Sequence, residues 1–169
     1  MNRPNTGSRT TLLTRALALA LLTGALGACA TATIGTTDIP DTEENRAIYD
    51  RVMEYRRAME ARDSDAVEAM VSRRYLENGA TTDRSDDDYG YDTVRDVLIP
   101  ELRDNVLEVQ LRILPHRIQV DGDEAYADYE YYYAFKYVEG GVEGWKPKND
   151  FNRLEFHKED GVWKITGGL

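Results

Sequence analysis

The chain has 169 residues, 31 acidic against 21 basic, a formal net charge of −10, two histidines and one cysteine. That acidic balance argues against a nucleic-acid-binding surface and against a broad basic membrane-binding face. A lone cysteine forms no internal disulfide, and two histidines without HxH or HExxH spacing offer no zinc site.

Residues 1–28 have the layout of a secretory leader. Arg3, Arg9 and Arg15 precede or flank the apolar run Ala16 to Leu22, and no acid occurs before Asp38. The apolar stretch to Cys29 is too short for a bilayer span, which needs roughly 20 residues. Leu26-Gly27-Ala28-Cys29 resembles the lipobox of bacterial lipoproteins. That resemblance implies lipid on Cys29, which becomes the mature N-terminus, and a membrane held through that lipid. Ala30 stands where an aspartate signals inner-membrane retention, so the resemblance implies an outer-membrane site facing the periplasm. Removing the leader's three arginines from the 21 basic residues leaves 18 against 31 acids, a formal charge of −13. Residues 29–40 read as the lipidated N-terminus and a flexible tether, small, polar and aperiodic. Residues 41–169 suffice for one domain.

Within that domain, Asp41 or Thr42 caps a first helix, with Glu43 and Glu44 at its positive end. Ile48, Val52, Tyr55 and Met59 recur at helical spacing. Arg62-Asp63 closes it, and Ser64 caps a second helix carrying Ala66, Val67, Met70 and Val71. Residues 78–90 form an acidic loop whose Asp86-Asp87-Asp88 lacks the spacing of a calcium loop. A third helix begins near Tyr91 or Asp92, with Pro100 predicting a kink or early stop.

The second half reads as strands. Leu107 to Ile113 alternates, Pro115 interrupts, and Arg117 to Val120 resumes. Asp121-Gly122-Asp123 is a turn. Ala125 to Val138 is a long strand holding six of the eleven tyrosines. Its odd face shows Ala127, Tyr129, Tyr131, Tyr133, Phe135 and Tyr137, and its even face Tyr126, Asp128, Glu130, Tyr132 and Lys136. A turn at Glu139-Gly140-Gly141 and a loop around Trp145-Lys146-Pro147 follow. Phe151 to His157 and Val162 to Thr166 close as a hairpin. Helices followed by an antiparallel meander give an α+β class with helices on one sheet face.

Two stretches carry a further resemblance. Ile48 to Tyr75 is an amphipathic helix, then Ala61-Arg62-Asp63-Ser64-Asp65, then a short helix ending in Tyr75. Asn152 to Ile165 is a closing hairpin with Trp163 before an apolar residue. Together they look like the nuclear transport factor 2-like (NTF2-like) superfamily in its SnoaL-like branch. The resemblance implies a strongly curved sheet wrapped around a long helix, a cone whose mouth holds a small apolar ligand. It also implies a family of isomerases, dehydratases, dimerisation modules and binding proteins without catalysis, so fold leaves function open.

Tyr55, Met59, Tyr129, Tyr131, Tyr133, Arg153 and Trp163 are the candidate pocket residues. The tyrosine strand equally suits an outer sheet face or a homodimer interface. Asp128 and His157 are the candidate catalytic groups, with Glu130, Tyr49 and Tyr55 as further ionisable residues. None matches a catalytic motif, and Asp128 and Glu130 also suit a solvated face. No cofactor motif is present: there is no phosphate loop and no nucleophile elbow. These residues fit a membrane-anchored domain that binds a small apolar molecule or an envelope protein without catalysis. A small-molecule isomerase or lyase and an assembly module of the envelope are the alternatives.

Overall fold

The computed structural model describes residues 32–78, 88–139 and 141–169. The leader, Cys29 and most of the acidic loop lie outside the described residues.

Residues 32–40 are not an extended tether. Thr33 bridges Pro40, the Ile34 N–H donates to the Ile39 carbonyl at 2.9 Å, and both isoleucines are buried. Two apolar side chains in a short polar stretch are enough to fold it back, and Ala32–Leu169 form one compact unit.

Helix α1 (Glu43–Ala61) starts where Thr42 Oγ1 accepts the Asn45 N–H at 3.1 Å, with Glu43 and Glu44 in its first turn. Its buried stripe is Ile48, Val52 and Ala58. It ends at Arg62, which adopts a left-handed backbone (φ 54°). The Arg62 guanidinium donates to the carbonyls of Leu107 and Arg103 at 3.1 and 3.0 Å, tying the helix end to distant chain. Asp63, not Ser64, caps α2 (Ser64–Met70), accepting the Ala66 N–H at 3.0 Å. Two short strands, β1 (Leu76–Glu77) and β2 (Tyr89–Gly90), pair antiparallel.

The third helical stretch runs through α3 (Tyr91–Thr93), a π-helical turn (Val94–Leu98) and α4 (Ile99–Asp104). Pro100 neither stops nor sharply ends it. The Ile99 N–H reaches back to the Val94 carbonyl, and the wide turn places the proline near the start of the following α segment, where a missing N–H is tolerated.

The main sheet is an antiparallel meander, β3 (Val106–Asp121), β4 (Glu124–Glu139), β5 (Val142–Glu159) and β6 (Val162–Gly167), ordered β3-β4-β5-β6. Pro115 does not divide β3. The register shifts between Pro115 and Arg117, a bulge that absorbs one residue and bends the strand. The loop expected around Trp145-Lys146-Pro147 is instead strand, and residues 142–150 pair with β4 throughout. β6 pairs only with Glu155 to Glu159, so this part of β5 is an edge, where a proline is accommodated. Helix α1 contacts β3 and β4. Ile48, Val52, Ala127, Leu154, Phe156 and Ile165 are essentially solvent-free and belong to one continuous core.

Candidate ligand-binding cavity

Beyond that core, the sheet and the helices enclose an open cavity of about 950 Å³. Its walls follow from strand parity and helical spacing. Helix α1 contributes Tyr55 and Met59, one turn from the buried stripe. Val94, Leu98, Ile99 and Leu102 form an aliphatic wall, and Leu111 and Ile113 continue it along β3.

Strand β4 supplies an aromatic ladder from its odd-numbered face. Tyr129 and Tyr131 lie 6.0 Å apart, centroid to centroid. Tyr131 stacks on Tyr133 at 5.6 Å and 5°, and Tyr133 on Phe135 at 4.5 Å and 14°. Each ring is two residues from the next, so alternation alone places them on one face. Beside the ladder runs a polar strip from β5. The register pairs Phe135 with Lys146, Tyr133 with Lys148, Tyr131 with Asp150 and Tyr129 with Asn152. Directly paired residues share a sheet face, and all four β5 side chains line the cavity.

Gly168 and Leu169 complete the lining. The Leu169 N–H donates to the Tyr75 hydroxyl at 3.0 Å, which in turn donates to Glu77 Oε2 at 2.8 Å. The Gly168 N–H reaches the same carboxylate oxygen at 2.8 Å. Gly168 has φ 87°, and a Cβ there would stand 1.7 Å from the Arg153 carbonyl oxygen. Only glycine fits that approach.

Desolvation sets the protonation of the hydroxyls. Burial pushes Tyr55 up to about 12, reinforced by Tyr89 and Tyr131. Tyr129 is raised further, again chiefly by burial. Both are neutral hydrogen-bond donors at any physiological pH. Asp150 is held below the usual carboxylate range by the Phe151 N–H and then by Lys148, whose Nζ is 3.4 Å away. It is exposed and a weak base, unlike a carboxylate tuned upward for proton abstraction.

The structure places Tyr55, Met59, Tyr129, Tyr131 and Tyr133 on the cavity wall. It places the other candidates elsewhere. Arg153 and Asp128 are paired across β4 and β5 with the opposite strand parity to the ladder, joined by two hydrogen bonds at 2.6 and 3.1 Å. His157 lies on the same face, its Nδ1 2.7 Å from Glu124 Oε1. Strand alternation is the main reason: Lys146, Lys148, Asp150 and Asn152 line the cavity from the even-numbered face of β5, Phe151 reaches its rim, and 153 and 157 are odd. Trp163 is buried in the core, with Lys158 over its ring at 5.4 Å. Asp128 and His157 are therefore not brought to the cavity, and each is held by its own partner. Reasoning from sequence missed Lys146, Lys148, Asp150 and Asn152. Their alternation was the available signal, masked by Pro147 and the nearby glycines.

No protein-family model matches the chain, and no curated protein matches it. Solved structures do resemble it. One is a ketosteroid isomerase-like protein from Erwinia carotovora atroseptica, 17% identical, with a TM-score of 0.57 over 75% of this chain and 94% of that one. A type 2 hexachlorocyclohexane dehydrochlorinase is 17% identical, with a TM-score of 0.57 over 75% and 84%. A protein assigned as a dehydratase of the NTF2-like family from Streptomyces avermitilis is 13% identical, with a TM-score of 0.57 over 74% and 92%. The chain has the NTF2-like fold, α+β, with helices followed by a curved antiparallel sheet.

Proposed function

We propose that this protein is a lipid-anchored envelope protein whose NTF2-like domain binds a small apolar molecule in the cavity, without catalysis. The observation that carries the binding reading is the open space itself: about 950 Å³ between an aliphatic wall and an aromatic ladder. Ligand sites of this kind span about 300–1,000 Å³, with mostly apolar linings and a few polar groups. Binding is favoured over an isomerase or lyase activity by the carboxylate at the ladder. Asp150 is exposed and acid-shifted, which suits an ion pair better than proton abstraction. The anchoring reading rests on the lipobox-like run ending at Cys29 and on the leader before it. It places the domain at the outer membrane, facing the periplasm.

Titration of the full-length protein with the neutral fluorophore N-phenylnaphthylamine tests the cavity. A saturable rise in emission, abolished by Leu111→Trp in a variant that retains its unfolding transition, is expected. A linear, non-saturating response identical in both proteins would sink the binding reading. For the anchor, Cys29→Ala is expected to release the protein from membranes and remove acyl mass. Continued partition of that variant with membranes would refute it.

A further inference from the structure

The side of the main sheet opposite the aromatic ladder is not uniformly polar. Its central positions on β4 are the even-numbered Glu130, Tyr132, Ala134 and Lys136. On β5, Phe151 pairs with Glu130 and Trp145 with Lys136, and paired residues share a face. Phe151, which also reaches the cavity rim, is 72% exposed, Trp145 42% and Tyr132 41%. At about 150–250 Å² per aromatic side chain, these three rings leave roughly 300 Å² uncovered. Leu114, paired with Glu130 from β3, is a further exposed apolar residue beside them. Apolar and aromatic residues at the centre with charged ones around them is the composition of a protein interface. A stable interface takes about 800 Å² from each partner, so the rings alone supply roughly a third of it.

The order of residues along the strands singles out the partner. Two identical sheet faces that pack on each other are related by a two-fold axis lying between them, and a residue that meets another is met by it in return. With that axis crossing the strands between Tyr132 and Ala134, each Tyr132 meets the Ala134 position of the second copy, a ring against a small, buried residue. Each Phe151 meets Trp145, and each Glu130 meets Lys136. Further out, Arg153 comes opposite Glu143. Within one copy Lys136 is already paired with Glu143 at 2.6 Å, and Arg153 with Asp128 at 2.6 Å. The second copy therefore sets opposite charge beside pairs that persist, and the exposed rings supply the contact. An axis running along β4 would instead set Glu130 against Glu130 and Lys136 against Lys136, the like-charge juxtaposition that interfaces avoid.

We infer that this face joins two copies of the chain, β4 of one antiparallel to β4 of the other, about a two-fold axis that crosses the strands between Tyr132 and Ala134. The aligned packing of two sheets, faces about 10 Å apart, accommodates this arrangement. The inference does not rest on the cavity holding a ligand.

The full-length chain carrying Cys29→Ala, free of any lipid and of its native thiol, is the material for the test. Sedimentation velocity at up to about 100 μM covers the affinities of interfaces of this size. A dimer is expected. Tyr132→Asp, at an exposed position, is expected to shift it to monomer while keeping a cooperative unfolding transition. Cross-linking reads the geometry: copies with Glu130→Cys are mixed with copies with Lys136→Cys and treated with a bismaleimide of about 10 Å reach, the spacing of packed sheets. The mixture is expected to give covalent dimer, and either variant alone far less. A strict monomer at the highest concentration would overturn the inference. A dimer undiminished by Tyr132→Asp would do the same, since the contact would then lie elsewhere. Cross-linking of each variant with itself in preference to the mixture would also overturn it, by putting the axis along β4. Should Tyr132→Asp lose its unfolding transition, the cross-linking pattern decides on its own.

Discussion

The two ends of β4 solve different problems with the same backbone. At its start stand Ala125 and Ala127, both buried within the core that includes Ile48, Val52, Leu154 and Phe156. From Tyr129 onward it carries rings, and there the cavity opens. Small residues on the strand let neighbouring side chains interdigitate to the density of a protein interior. Large flat rings at every second position instead stack on each other, at 5.6 and 4.5 Å along Tyr131, Tyr133 and Phe135. The rings contact one another along their strand, while the apolar surface they leave uncovered lines the cavity.

The largest consequence is in stability. Phe156→Ala at the packed end should cost about 3–5 kcal/mol, since Phe156 is 1% exposed and its removal leaves a void. Leu98→Ala on the cavity wall should cost far less, because Leu98 is already 38% exposed. Urea unfolding of the two variants measures both. Equal losses would mean that the two ends are packed alike.

Alkaline pH separates the ends next. An unfolded tyrosine ionises near pH 10, whereas burial raises Tyr55 to about 12. Tyr75, Tyr89 and Tyr129 are also raised, each mainly by desolvation. For a group raised in the folded state, stability is intact below the unfolded pKa and is lost as pH climbs through the folded one. The domain should therefore weaken from about pH 10 upward, with Tyr55 responsible for about 2–3 kcal/mol of the loss by pH 12. Tyr55→Phe should flatten that slope, as read by equilibrium unfolding at a series of pH values. An unchanged slope would show that the Tyr55 hydroxyl is not in a dry setting.

Gly168→Ala probes the seam where the last residues meet the sheet. The left-handed backbone and the Arg153 carbonyl leave no room for a Cβ. A loss of about 1–3 kcal/mol is expected in thermal unfolding, with faster hydrogen exchange at the Leu169 amide. A neutral effect would mean that this segment is not held against β5.

Much of this arrangement was legible in the chain. The first helix, the odd face of β4 and the closing hairpin follow from spacings of 3.6 and 2, because half-buried elements must present one apolar face. The pocket residues Tyr55 and Met59 were legible for the same reason. What hid the polar strip was local chemistry overruled by long-range pairing. The stretch around Trp145-Lys146-Pro147 reads as loop, yet sixteen successive residue pairs with β4 hold residues 142–157 extended. Likewise Ile34 and Ile39 looked isolated in sequence and became buried only through a turn. Arg153 was misplaced because a hairpin's position is readable without the parity that decides which face meets the cavity, and Trp163 because the packed end of that face is filled by the core.

That parity makes the smallest prediction the most pointed one. Arg153 and Lys148 lie five residues apart on one strand, carry the same charge, and face opposite sides of the sheet. Arg153 pairs with Asp128 at 2.6 Å, yet the two side chains retain 47% and 31% exposure. A bidentate pair this open to water should contribute only about 0.2–1 kcal/mol. A double-mutant cycle with Arg153→Gln and Asp128→Asn measures that coupling. The same variants should leave N-phenylnaphthylamine binding untouched, because neither Arg153 nor Asp128 lines the cavity. If Arg153→Gln weakened binding as a cavity-wall substitution does, the division of the sheet into a binding face and an ion-paired face would have to be abandoned. A coupling well above about 1 kcal/mol would instead show that the Arg153–Asp128 pair is shielded from solvent by something absent from the isolated chain.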